Sequence, residues 1–288
     1  RMIAPTPPPP RVARACSDTL PGVARRVVGP VVRWRAGAVP VGTWSVQLGD
    51  ARLPVSVVVA RVDPARIALE LAIEKREDTM GPWTIDRAPS TAVIAFNAGQ
   101  FTDAGPWGWV VHRGREWQPP GSGALAGAIV IDRARVRIVA ADSIAAWRSD
   151  TTRRSTVTEA VQSYPMLLQA GKLPAALCRA GAIDRDHRDI RLAVGVRRNG
   201  EVIVALTRYA PATLPGAVAG RLPVGPTTLE MAEIMHQLGT VDAMLLDGGL
   251  SAQLRVGAGA AARSWPGLRA VPLAIIGTVR RSVREPTR

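Results

Sequence analysis

Val241-Asp242-Ala243-Met244-Leu245-Leu246-Asp247-Gly248-Gly249-Leu250-Ser251 closes a short apolar run with a carboxylate, two glycines and a hydroxyl. Continuous apolar runs of this length read as strands buried on both faces, so Ala243 to Leu246 predicts a central strand that delivers Asp247 to its carboxyl end. In open α/β sheets, ligands bind at such ends. Gly248 and Gly249 lack a Cβ, which lets the backbone take positive φ, lie close to a ligand and turn amide hydrogens toward it. The same Asp-Gly pair also reads as a plain turn. Just upstream, Thr227-Thr228-Leu229-Glu230 has capping-box spacing, with Thr227 placed to cap the first amides and Glu230 to reach back. Leu229, Ala232, Met235 and Leu238 recur near helical spacing, and Gly239 stands where a left-handed C-terminal cap is expected. A helix over Thr228 to Leu238 therefore feeds the strand, and its methionines read as core.

Outward from this unit the chain is rich in strand signals. Val55 to Val62 and Ile67 to Ile73 read as strands joined at Asp63-Pro64. Val110 to Gly114 suggests a hairpin, as does Ile129 to Val139 with its turn at Asp132 to Arg135. Asn199-Gly200, between Arg191 to Val196 and Val202 to Thr207, is the strongest short hairpin signal in the chain. Short helices are expected at Ser143 to Trp147 and around Thr158 to Gln162. The sum is an α+β fold, one strand-rich domain with a mixed sheet and a few short helices. The Pro run within Pro5 to Pro10 reads as extended, which gives a tail or linker over residues 1–40, a domain over 41–280 and a C-terminal tail over 281–288.

Composition sets outer bounds. With 288 residues and 47% hydrophobic content, the chain is long and apolar enough to bury a substantial core. No uninterrupted apolar stretch of about 18 residues occurs, so no membrane span is expected. The formal charge of +14 suggests an anionic partner. Its arginines fall in dispersed pairs such as Arg25-Arg26, Arg153-Arg154, Arg197-Arg198 and Arg280-Arg281, which read as solvated faces and not as a nucleic-acid groove. Cys16 and Cys178 allow one disulfide and form no framework. His112, His187 and His236 show no metal-ligand spacing, and neither a metal nor a cofactor is expected. Eight tryptophans stand against two tyrosines and two phenylalanines. Trp107 and Trp109 suit either stacking on a sugar or packing in the core.

Four segments in order resemble the phosphodiester glycosidase family, that of the N-acetylglucosamine-1-phosphodiester alpha-N-acetylglucosaminidase catalytic domain. They are the strand ending in Asn97-Ala98-Gly99-Gln100-Phe101, then Gln162-Ser163-Tyr164-Pro165-Met166-Leu167, then Arg191-Leu192-Ala193-Val194-Gly195, and finally Gly225 through Ser251. The domain they mark is read as running over about residues 41 to 280. Gln100 stands where an aromatic or Met is usual, Leu192 replaces the usual Thr, and Leu250 sits where Gly is common.

The resemblance implies a hydrolase that cleaves the bond between a sugar's anomeric carbon and a phosphodiester, the expected substrates being bacterial cell-envelope or exported glycoconjugates at an extracytoplasmic site. Phosphate is a good leaving group, so the demand for a strong general acid is lower than with the two carboxylates of ordinary glycoside hydrolysis. A cation must hold the phosphate, and Arg191 is the candidate because guanidinium grips phosphate oxygens in a fork. An anion must face the developing oxocarbenium, and Asp247 is the candidate as nucleophile, base or electrostatic stabiliser. Asn97, Gly99, Gln162, Arg188, Gly248, Gly249 and Ser251 are expected to bind substrate. Asp103, Asp186 and His187 are further polar candidates. The alternative on the same fold is a noncatalytic glycan-binding or envelope-assembly module, which the departures at Gln100 and Leu192 leave open.

Overall fold

The valine-rich segment Val55–Val62 forms a strand whose Val55, Val57 and Val59 enter one hydrophobic core and whose Val58, Ala60 and Val62 enter another. A strand apolar at nearly every position is what burial on both faces demands. In this computed structural model the residues described are 33–46, 48, 55–73, 75–76, 79–133, 135–179, 183, 187–209 and 225–280. Val55–Val62 lies within a seven-stranded sheet ordered Arg33–Arg35, Val41–Val46, Val55–Val62, Val202–Tyr209, Leu192–Arg197, Thr240–Leu245 and Met166–Leu168. The first of these strands lies ahead of residue 41 and pairs Trp34 with Gly42.

Two five-stranded sheets close over one face of it. One is ordered Arg115–Gln118, Val110–His112, Val157–Ser163, Gly127–Asp132 and Arg135–Ala140; the other Arg263–Trp265, Leu254–Val256, Ala92–Asn97, Leu273–Val279 and Ile67–Ile73. The central core draws on all three, with Val204, Ile129 and Ile275 in one cluster. Each sheet then covers its outer face separately. The helix Thr228–Gln237 seals the seven-stranded sheet through Met231 and Met235, the helix Ala141–Ser149 seals another through Ile144 and Trp147, and Trp83 and Ile85 seal the third. Complete burial of such a side chain contributes about 1.5–3 kcal/mol, so these layers dominate the stability of the fold.

The fold is α+β, with two corrections to the detail. Every pairing between described strands is antiparallel, so the expected mixed sheet is replaced by antiparallel ones. Hairpins, not crossover helices, join most neighbours, and the Thr228–Gln237 helix returns the chain antiparallel to Leu192–Arg197. The helix expected around Thr158 to Gln162 is the strand Val157–Ser163, central in its sheet. Its Ala160 enters the cluster under Trp147 while Val161 enters the main core, and burial on both faces overrides local propensity. The helix in this region ends earlier, at Thr156, after Asp150 caps the amides of Thr152 and Arg153.

Other local expectations match the observed elements. Thr227 and Glu230 form both halves of the capping box, and Gly239 takes φ +81°. The Asn199-Gly200 hairpin joins Leu192–Arg197 to Val202–Tyr209 in continuous register. Cys178 is disulfide-bonded, and Cys16 lies outside the described residues. No helix among the described residues is long and apolar enough to cross a membrane.

Candidate functional site

The Ala92–Asn97 and Thr240–Leu245 strands belong to different sheets, and their carboxyl ends meet at one corner. Two hydrogen bonds join them: the Asp247 N–H donates to the Ala98 carbonyl (3.2 Å) and Asn97 Nδ2 donates to the Asp247 carbonyl (2.8 Å). Asn97 Oδ1 accepts from the Gln253 N–H at 2.9 Å. Asn97 is fully buried and its amide is occupied by backbone on both sides. It fixes the corner on which Asp247 stands. Gln253 extends the brace, donating to the Ser251 and Arg269 carbonyls and accepting from the Ile85 N–H.

Gly248 and Gly249 lie against the segment that leads into Leu192–Arg197. A Cβ on Gly248 would sit 2.7 Å from the Ile190 carbonyl oxygen, and the Gly249 N–H donates to that same oxygen at 2.8 Å. Gly249 takes φ +57°, in the left-handed region that glycine adopts at little cost. Over it lies a carboxylate absent from the sequence expectations: a Cβ on Gly249 would be 3.0 Å from Asp189 Oδ2. His187 Nε2 is 3.9 Å from the same oxygen.

Asp247 is half-buried. Burial pushes its carboxyl above the ordinary range and the nearby Asp189 charge adds to the rise, whereas a hydrogen bond from Ser251, the Arg269 charge and the Gly248 N–H pull it down. Ser251 is buried on a short 3-10 turn, Gly249–Ser251, that carries its hydroxyl back to Asp247. Arg269 arrives from a loop 22 residues further on, is exposed, and lays its guanidinium over the Phe101 ring at 4.8 Å. The corner therefore joins a carboxylate that takes up a proton more readily than usual to a cation beside it.

The other motif residues are distributed differently. Arg188 makes a two-pronged ion pair with Glu230 (2.6 and 2.9 Å) and donates to the Gly225 carbonyl. Glu230 is the capping-box residue, so Arg188 anchors the helix start. Arg191 points the same way, its Nη2 donating to the His187 carbonyl (2.7 Å) and its Nε to that of Pro226 (3.4 Å). Gln162 is buried: its Oε1 accepts from the N–H groups of Trp109 and Gly121, and its Nε2 donates to the Gly121 carbonyl. Gly99 lets the chain pass its backbone, since a Cβ there would clash with the Gln162 carbonyl oxygen. Gln100 binds both the N–H and the carbonyl of Tyr164, supporting the turn before Pro165. Leu192 is fully buried in the main core. Asp186 lies outside the described residues.

Two clefts flank the corner. Trp107 packs edge-to-face on Tyr164 and lines an apolar cleft of about 330 Å³ with Leu125 and Ile183, while Trp109 is core. Asp103 lines a second, of about 470 Å³, with Phe101 and Gln118. Among the described residues no group of three or more His, Cys, Asp or Glu side chains is arranged to hold a metal ion.

Asp189 and Arg269 were missed for different reasons. Asp189 sits inside the run Arg188 to Arg191 that drew notice for its arginines, and nothing in the sequence ties it to Gly249. Arg269 follows the turn signal Pro266-Gly267, which marks a loop without revealing where it returns.

Comparison with known proteins finds that the model of the phosphodiester glycosidase family matches residues 90–277. No curated protein matches the chain. Among solved structures, the catalytic domain of zebrafish N-acetylglucosamine-1-phosphodiester alpha-N-acetylglucosaminidase, auto-inhibited by its pro-peptide, is similar with a TM-score of 0.59 and 14% identity, over 90% of this chain and 91% of that one. A hypothetical protein from Synechocystis is similar with a TM-score of 0.53 and 17% identity; 88% of this chain is covered, and this chain spans 64% of that one.

Proposed function

The chain belongs to the phosphodiester glycosidase family, and from that premise we propose that it hydrolyses the bond between a sugar's anomeric carbon and a phosphodiester. The substrate in this reading is a bacterial cell-envelope or exported glycoconjugate met outside the cytoplasm. The observation that carries the reading is Asp247, half-buried with its carboxyl raised, held by Ser251 and faced by Arg269. In the proposed reaction the anomeric carbon–oxygen bond breaks and the phosphomonoester leaves with the bonding pair. The oxygen of water joins the carbon, and the proton it loses passes to Asp247. Burial that raises the proton affinity of this carboxyl above the ordinary range favours that transfer. Arg269 draws the departing phosphate through its fork of N–H groups, a role the sequence alone had given to Arg191.

The test is release of free sugar and phosphomonoester from a panel of sugar 1-phosphodiesters by the wild type and Asp247→Asn, run in ¹⁸O-labelled water. Turnover lost in the variant, with label in the sugar, supports the reading. Label in the phosphate would mean attack at phosphorus. No turnover by either protein, with sugar binding retained, would assign a noncatalytic glycan-binding module instead.

A further inference from the structure

The strands that carry Asp247 end, at their opposite edge, on a second concave surface. A cleft of about 570 Å³ opens there between the Asp63 turn, the Gly127–Asp132 to Arg135–Ala140 hairpin, the Asn199-Gly200 hairpin and the start of Thr240–Leu245. Four arginines line it, Arg135, Arg137, Arg197 and Arg198, against two carboxylates, Asp63 and Asp242. Asp242 lies five positions before Asp247, about 17 Å at the rise of a strand. The cleft is therefore distinct from the site described above yet within reach of a ligand that extends past it.

Its arginines divide into two kinds. Arg137 is paired with Asp132 (2.9 Å), and Arg197 with Glu201 (2.7 Å) and the Leu238 carbonyl, so both are held as parts of the wall. Arg135 and Arg198 are exposed, stand on different hairpins, and have no carboxylate within ion-pair distance among the described residues. The carboxylates of Asp63 and Asp242 each accept from a backbone N–H, of Ala65 and Ala170, which orients them without neutralising the arginines. Arg280 stiffens the rim, donating from Nε to the Pro64 carbonyl and from Nη2 to that of Arg133. Two exposed guanidinium groups lining one cleft from different hairpins, neither ion-paired among the described residues, suit phosphate oxygens.

We propose that this cleft is an exosite for a phosphate-bearing glycan polymer, gripped between Arg135 and Arg198 while another part of the same chain reaches Asp247. The inference rests on the sugar-phosphodiester reading for the identity of the polymer. The wall favours a glycan over a nucleic acid because, among the described residues that line it, no aromatic side chain is present on which bases would stack. Asn199, Asp63 and Asp242 offer partners for hydroxyl groups instead. Tethering at the exosite raises the local concentration of phosphodiester bonds at Asp247 without any new contact there.

Binding separates this proposal from the catalytic reading. A fluorescent phosphate-bridged oligosaccharide of about six or more repeats would be titrated by anisotropy into wild type, Arg135→Gln/Arg198→Gln and Asp247→Asn, with a single hexose phosphate and single-stranded DNA as comparisons. The double variant should bind the oligosaccharide at least 10-fold more weakly. Its log-affinity on log-salt slope should be shallower by about 1.4, at about 0.7 for each of two lost phosphate contacts. Asp247→Asn should bind it as the wild type does, and affinity for hexose phosphate should stay unchanged in the double variant. On active substrates, KM for the polymer should rise with kcat preserved, and turnover of a small phosphodiester should not change. Equal oligosaccharide binding by wild type and double variant overturns the exosite, even where turnover confirms the catalytic reading. Tighter binding of DNA than of the oligosaccharide, lost in the double variant, also overturns it and assigns the cleft to nucleic acid. Binding as expected with no turnover of any substrate leaves the exosite standing and removes the catalytic reading.

Discussion

Asn97 and Asp247 touch each other at the same corner, yet one has its side chain closed on the protein and the other does not. Both oxygen and nitrogen of the Asn97 amide are held by backbone groups, as are those of Gln162, and the Arg188 guanidinium is closed on Glu230 and Gly225. Asp247 keeps a half-buried carboxylate whose proton affinity is raised chiefly by burial and then adjusted by Ser251, Arg269, Asp189 and Gly248. The difference separates architecture from chemistry. A polar side chain engaged by backbone or by a carboxylate has a structural role that needs no ligand, whereas a carboxylate held in partial burial without full compensation is a candidate for chemistry.

The sharpest break of this contrast is Asp247→Asn, which keeps the shape and removes the charge. Turnover should fall about 10³-fold or more, about 4 kcal/mol of barrier at 1.36 kcal/mol per tenfold. Stability should move the other way. A carboxyl whose folded pKa is raised stabilises the fold below its unfolded pKa, and that contribution is lost as pH rises through the folded value. At neutral pH the variant should therefore melt at the same temperature as the wild type or higher, measured by calorimetry. A variant that is active, or one that is inactive because it is unfolded, would erase the distinction drawn here.

Next in size is Arg188→Met, which strands the Glu230 carboxylate at the start of the Thr228–Gln237 helix. Breaking a largely buried pair costs about 3 kcal/mol, and the loss should appear as a lower denaturant midpoint. Because Arg188 is architectural, the variant that does fold should keep kcat within about threefold. Gln162→Leu comes third: it leaves the Trp109 and Gly121 amides without their partner at about 2 kcal/mol in stability. A selective collapse of kcat in either, with stability intact, would move that residue into the chemistry.

Legibility in the sequence followed the range of the signal. The capping box at Thr227, the Asn199-Gly200 hairpin and the apolar run ending at Asp247 are local patterns, and each forms the element it announces. The strand Val157–Ser163 was misread because its pairing partners, Val110–His112 and Gly127–Asp132, and the layers that bury its two faces, the Trp147 cluster and the main core, come from distant parts of the chain. The site behaved likewise. Asp247 and Ser251, four residues apart, were found together, but Asp189 and Arg269 reach Asp247 only after two sheets and a returning loop have assembled. Motif identity gave no means of telling that Asn97, Gln162 and Arg188 would meet backbone and carboxylate partners, since that depends on which chain segments pass beside them.

The smallest effect is also the most diagnostic, because it predicts opposite signs. If Asp247 takes the proton of the attacking water, kcat/KM should fall at low pH through the pKa of the free enzyme's base. Asp189→Asn removes a like charge that raises that pKa, so the acidic limb should move to lower pH. Arg269→Gln removes a cation that lowers it, so the limb should move to higher pH, together with a loss of affinity for phosphate. Asp189 stands beside Asp247 and His187 lies 3.9 Å from Asp189, so the direction in which the limb moves is the quantity to read. Shifts of opposite sign would tie the pH dependence to Asp247, since a remote base would not respond to both neighbours. Parallel shifts, or none, would leave the carboxylate as an electrostatic partner of the reaction and send the search for the base elsewhere in the corner.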